Sequence, residues 1–342
     1  MKKFFKKSLI ILIVLLFIIS IAGCGKQQEV KETTDTVKDK ETEKPIILKA
    51  AHVLSPTSHY EKGMQKFAEL VEQKTEGKIK IEVYSGGVLG SERDMIESMQ
   101  LGTLDIGLVS TAPLGGFLPK MMIFDLPFIF KDSEHAWSTA DGPVGKEIFK
   151  ELESQKIVGL AYWENGFRHL FTREVPVSKP KDLEGLKIRL MENVVHTTSY
   201  KVLGAIPVPM AWGELYTALQ QGTVDGAENS IPVVYTSKFY EVCNNLTLTG
   251  HFYGIAPLLM SKATYDNLPE EYQKIIKDAA VEARDYQRNV TKQMEEDYIK
   301  KLKEVGMNII KVDRSEFREK CKDVYTKFTD KIPEELINKV VK

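Results

Sequence analysis

The stretch MQLGTLDIGLVS, residues 99–110, returns in outline as LQQGTVDGAENS, residues 219–230. At a constant offset of 120, Gln100 matches Gln220, Gly102 matches Gly222, Thr103 matches Thr223, Asp105 matches Asp225 and Ser110 matches Ser230. Each copy reads as a helix end, a glycine that stops the helix, and a strand. Joints of that kind are common, but five matched positions point to two similar lobes. Ligands of open α/β sheets bind beyond the carboxyl ends of strands. Residues 106–110 and 226–230 are therefore expected on opposing walls of one cleft.

The rest of the chain keeps the same rhythm. IILKAAHV is strand-like, and Met64, Phe67, Ala68, Leu70 and Val71 follow at helical spacing up to Gly77. KIKIEVY alternates as a strand, SGGVLG is a turn, and Ser91 can cap the helix ERDMIESMQ. Alternating strands and helices indicate an α/β sheet with crossover helices. From Pro269 to Val305 an apolar stripe runs at spacings of three and four residues and stops at Gly306. A helix of that length spans roughly 55 Å, more than one small lobe covers, so it is expected to lie across both. A break near Arg288–Asn289 is compatible with the pattern.

The first residues read differently. MKKFFKK and the apolar run after it form a secretion leader, and IAGC marks Cys24 as a lipidation site. Residues 25–45 carry almost no large apolar side chains and read as a flexible tether. Without the leader's four lysines, a chain of 47 basic and 48 acidic residues is mildly acidic and has no basic block, which argues against nucleic acid. Cys243 and Cys321 show no metal-ligand spacing. They are read as buried thiols or, less favoured, a disulfide.

No catalytic motif is present. The six histidines form no HExxH pair, and there is no nucleophile elbow, Walker loop or dinucleotide fingerprint. Asp225 and Glu228 are the only candidates for an acid–base pair. Binding chemistry is better represented. In DLEGLKIRLMEN (182–193), Arg189 sits near the end of a short strand, and Arg168 lies between Phe167 and His169 in AYWENGFRHLFT (161–172). A guanidinium presents a planar fork that matches a carboxylate. The alternative for each arginine is a structural ion pair, for example to Glu164 or Glu192.

The run KDLEGLKIRLMEN…LGAIPVPMAWGELYTALQQGTVDGAENS resembles the solute-binding proteins of tripartite ATP-independent periplasmic (TRAP) transporters. GVLGSERDMIESMQLGTLDI, DLPFIF, NGFRHLFT, KFYEV and LPEEYQ follow in family order over essentially all of 46–342. The resemblance implies a two-lobe, periplasmic-binding-protein-like α/β fold with a central ligand cleft and a long helix spanning both lobes. It implies lobe I at 46–165 plus about 254–290, and lobe II at 166–253 plus about 291–342. It also implies capture of a small organic acid without catalysis or cofactor, and delivery to sodium-driven permease subunits.

Residue by residue, Arg189 matches the arginine that holds the ligand carboxylate, and Arg168 a second arginine near it. Trp212 matches an aromatic packed on the ligand, and Asn229 a polar contact from the second lobe. His52 and Ser110 align with cleft-lining residues, and Glu192 is a hydroxyl acceptor. Sialic-acid-binding members carry glutamate and arginine where this chain has Ser110 and Pro113. A smaller acid is therefore expected: a C4-dicarboxylate, a keto or hydroxy acid, or a sugar acid. The expected protein is a monomer held by Cys24 at the outer face of the cytoplasmic membrane. The alternatives are a receptor for a membrane kinase or an ATP-driven importer, and an exported hydrolase using Asp225 or Glu228.

Overall fold

The two copies of the repeated stretch fold alike. In the computed structural model, which describes residues 44–341, Gly102 and Gly222 both take left-handed backbone, at φ 74° and φ 71°. A side chain is strained in that conformation and glycine is not. The next residue then closes each helix: Thr103 N donates to Ser98 O and Thr223 N to Ala218 O, both at 2.9 Å. Asp105 and Asp225 do the same work in their copies. Their Oδ2 atoms accept the backbone N–H of Lys49 and Lys187, each at 2.8 Å, tying the strand that follows to its neighbour. Ser110 and Ser230 then begin short helices with matching backbone, ψ 155° in both. Asp225 is thus a strand tie rather than a free acid. The leader, Cys24 and the tether lie outside the described residues.

Among the described residues, nine strands form one sheet: β1 (Ile46–Ala51), β2 (Ile79–Tyr84), β3 (Ile106–Leu108), β4 (Ile157–Thr172), β5 (Lys187–Leu190), β6 (Ile206–Pro209), β7 (Gly226–Ser230), β8 (Asn245–Ser261) and β9 (Asn308–Ile310). The order is β2-β1-β3-β8-β4-β7-β5-β6, with β9 beside β8. The order is the same read from either end: a parallel trio, one long strand, the other long strand, a parallel trio. The trio β2-β1-β3 lies at one end of the strand order and β7-β5-β6 at the other. The antiparallel pair β4 and β8, 16 and 17 residues long, joins them. Its register slips between Glu164 and Gly166, where Gly166 faces Gly254.

The long helix runs unbroken from Glu270 to Glu304. At 1.5 Å per residue it spans about 52 Å, matching the length of β4, on which it packs. Trp163 Nε1 donates to Ala280 O at 3.0 Å, and the Gln287 side chain bonds both the N–H and the carbonyl of Glu164. Gly63 on the helix His59–Lys74 is a close approach to the same place. A Cβ there would meet Trp163 at 2.6 Å and Gln287 at 2.8 Å. Farther along, Tyr298 packs on Tyr235 with ring centroids 4.3 Å apart. The break allowed near Arg288 does not occur because that side chain is held, on Asp141 at 2.7 Å and Tyr162 O at 2.8 Å. Cys243 and Cys321 are both buried free thiols.

One carboxyl on this helix should make stability pH-dependent. Glu295 is half-buried, and burial, then the Glu164 and Glu296 carboxylates, push its pKa up from 4.5 to about 7. Between those values the folded chain keeps a proton that the unfolded chain releases, so this contribution to stability declines as pH rises through the window. Glu295→Gln removes the charge. Its melting midpoint is expected to exceed that of the wild-type chain at pH 8 and to converge with it at pH 4. Parallel melting curves at both pH values would contradict this.

Candidate ligand-binding site

Arg189 lies in β5, between β6 and β7, facing Val208 and Ala227 in register. It is 2 % exposed. Its Nε and Nη2 both donate to the Met210 carbonyl, at 2.9 and 2.6 Å, but Nη1 is buried with no hydrogen-bond partner. Its guanidinium stands 5.9 Å from the Trp212 ring centroid. Burial, with Arg168 adding to it, lowers its pKa to about 10. A buried cation that lacks a carboxylate partner is costly.

Arg168 is arranged differently. On β4, it donates Nε to Glu228 Oε2 at 2.5 Å and Nη2 to Glu228 Oε1 at 2.8 Å, and Nη1 reaches Asn229 Oδ1 at 3.2 Å. Burial pushes the Glu228 carboxyl up, but Arg168 more than offsets this and holds it well below the usual carboxylate range. His251 stands 3.6 Å from Glu228 and donates to or accepts from Tyr200 at 3.0 Å. The structural ion pair given as the alternative for this arginine is therefore present, made by Glu228 and not by Glu164 or Glu192. Glu228 is paired and has no free oxygen for hydrolysis chemistry. The Asn229 Oδ1 is equally committed: it also accepts from Asn165 Nδ2 at 2.9 Å and from Ser230 N at 2.8 Å.

A small cleft opens beside Arg189. Glu92, Arg93 and Pro113 line it together with Arg189, Glu192 and Trp212. Ser110 stands just behind the lining and donates its N–H and hydroxyl to Glu92 Oε1, at 2.7 and 2.9 Å. Burial raises the Glu92 carboxyl above its usual range. His52 is fully buried, with Nε2 2.8 Å from Glu61 Oε2, and is not part of the lining. The sequence reading thus found Arg189, Trp212 and Glu192 in the lining. It missed Glu92 and Arg93, which open the helix Glu92–Leu101 next to the capping residue Ser91. Their signal was available: first-turn residues of a helix that starts beyond a strand end face a cleft. Among the described residues, no group of three His, Cys, Asp or Glu side chains could hold a metal ion, and no helix is long and apolar enough to cross a membrane.

The family model for bacterial extracellular solute-binding proteins, family 7, matches residues 50–331. The chain belongs to the TRAP periplasmic solute-binding proteins. A TRAP solute-binding protein from Polaromonas sp. JS666, solved bound to D-erythronate, is similar at 42 % identity and a TM-score of 0.85, covering 86 % of this chain and 98 % of that one. The 2,3-diketo-L-gulonate-binding periplasmic protein YiaO of Escherichia coli is 36 % identical over 79 % of this chain and 83 % of its own. The C4-dicarboxylate-binding periplasmic protein DctP of Rhodobacter capsulatus is 34 % identical over 85 % and 88 %. TRAP solute-binding proteins are non-catalytic, which removes the hydrolase alternative. Membership of a TRAP transporter also removes the ATP-driven alternative.

Proposed function

We propose that this TRAP receptor captures a small hydroxylated monocarboxylate, a sugar acid, by giving the unpartnered edge of Arg189 to its carboxylate. The observation that carries this reading is Arg189 Nη1, a buried charged donor without an acceptor among the described residues, on a side chain that lines a cleft. Arg168 adds positive potential but is already held by Glu228. Trp212 covers the carbon chain, and Glu92 and Glu192 accept hydroxyls. Ser110, Asn229 and His52 act from behind, by holding Glu92, Arg168 and Glu61.

The two lining carboxylates favour a sugar acid over a C4-dicarboxylate. A second carboxylate on the ligand would meet Glu92 and Glu192. The one cation on that side, Arg93, already stands 3.0 Å from Glu97. Like charges in a half-closed cleft repel strongly. The relatives that bind D-erythronate and 2,3-diketo-L-gulonate are consistent with this choice. Closure of the lobes about the Gly166–Gly254 slip would expel water and strengthen each contact. The closed receptor would hand its acid to sodium-driven permease subunits while lipidated Cys24 keeps it at the membrane.

A thermal-shift panel tests the reading. A ligand at a hundred times its Kd stabilises the folded state by about 2.7 kcal/mol. D-Erythronate and D-galactonate are expected to raise the melting midpoint by several degrees, and succinate and malate by less. Larger shifts with the dicarboxylates would overturn the choice of class, and no shift with any acid would overturn the clamp.

A further inference from the structure

Just past the cleft-lining Glu192, the Asn193 side chain is 5 % exposed and bonded at both ends. Its Oδ1 accepts the N–H of Val195 at 2.8 Å and of His196 at 3.1 Å, capping the helix Val194–Val202. Its Nδ2 donates to the Ala112 carbonyl at 2.9 Å and to Asp125 Oδ2 at 3.2 Å. Asp125 is itself 4 % exposed, accepts the Thr111 hydroxyl at 2.8 Å, and has His196 Nε2 at 3.4 Å. Thr111, Ala112 and Asp125 fall in lobe I of the sequence division, and Asn193 and His196 in lobe II. Pro113 and Glu192, next in sequence to Ala112 and Asn193, line the cleft. The amide thus bridges the lobes directly beneath the ligand position.

We infer that Asn193 is a clasp: its amide fixes the helix of one lobe and grips the carbonyl and carboxylate of the other only when the lobes are shut. The inference rests on the two-lobe, acid-binding reading above. Bonds that form on closing lower the free energy of the closed, liganded state without touching ligand, and so act mainly on the dissociation rate. Asn193 is a positioning residue in this sense. A group whose cap and grip sit on different atoms also allows the two to be separated.

Asn193→Asp keeps an oxygen for the helix cap, removes both donors and sets a carboxylate against Asp125. Asn193→Ser keeps a capping oxygen and removes the grip without new charge. With D-erythronate as probe, both variants are expected to bind at least about tenfold more weakly, through faster dissociation, the aspartate more so. The ligand-free melting midpoints should stay within about 2 °C of the wild-type value. Affinity within about twofold of wild type overturns the clasp. So does a ligand-free midpoint that falls in step with affinity, because the contact is then a permanent brace. Wild-type protein that binds no acid overturns the acid-binding reading and the clasp together, whereas normal wild-type binding with unaffected variants overturns the clasp alone.

Discussion

Arg189→Ala is expected to weaken acid binding by at least a hundredfold, on the order of 3 kcal/mol or more, without lowering the melting midpoint of the ligand-free protein. The two halves of this expectation come from one geometry. Truncating one partner of a buried charged pair costs about 2–5 kcal/mol in binding. Among the described residues, however, no carboxylate pairs with the Arg189 cation, and burial already lowers its pKa to about 10. Removing it relieves that penalty and forfeits only the bonds to the Met210 carbonyl. Function and stability should therefore move apart, as they do where a site is held in a destabilised state for its ligand. Isothermal titration with D-erythronate beside thermal melts checks both. Unchanged affinity would remove the clamp, and a large loss of midpoint would make Arg189 a structural residue.

Glu228→Ala should do the reverse. Glu228 is fully buried, and both of its oxygens receive Arg168. Breaking a buried pair from one side leaves an uncompensated charge and costs about 3–5 kcal/mol. The expected outcome is a chain that melts many degrees lower or does not accumulate, while Glu228→Gln, which still accepts from Arg168, loses less. Urea unfolding of the three proteins orders them. Equal stabilities would mean that the Arg168–Glu228 pair carries little of the fold, and would return Arg168 to the role of a free ligand-binding cation.

The contrast between the two arginines marks how far the sequence could be read. Both looked alike there, a guanidinium near a strand end, and only pairing across strands separates them. β7 runs antiparallel to β4, so that Arg168 faces Ser230 and Leu170 faces Glu228, and Glu228 lies within reach of Arg168. β5 runs parallel to β7 with Ala227 beside Arg189, and no acid is offered there. The register that decides this depends on contacts some forty to sixty residues apart, which local periodicity does not carry. The repeat at offset 120 was legible because the same residues recur in the same order: a glycine for left-handed backbone and an aspartate, although each aspartate ties a strand from a distant part of the chain. The long helix was legible from its stripe, and its continuity past Arg288 was not, since Asp141 and Tyr162 hold that side chain from distant parts of the chain. Glu92 was overlooked because it was read only as the first residue of a helix.

The most direct test of the central claim is a pair of calorimetric titrations of the wild-type protein, with D-erythronate and with erythritol, its neutral polyol counterpart. The two share four carbons and a run of hydroxyls and differ in the carboxylate. If the Arg189 edge holds that carboxylate, the acid binds tightly and the polyol gives no measurable heat. Binding of the polyol as tight as that of the acid would contradict the account, whatever the fold and the family.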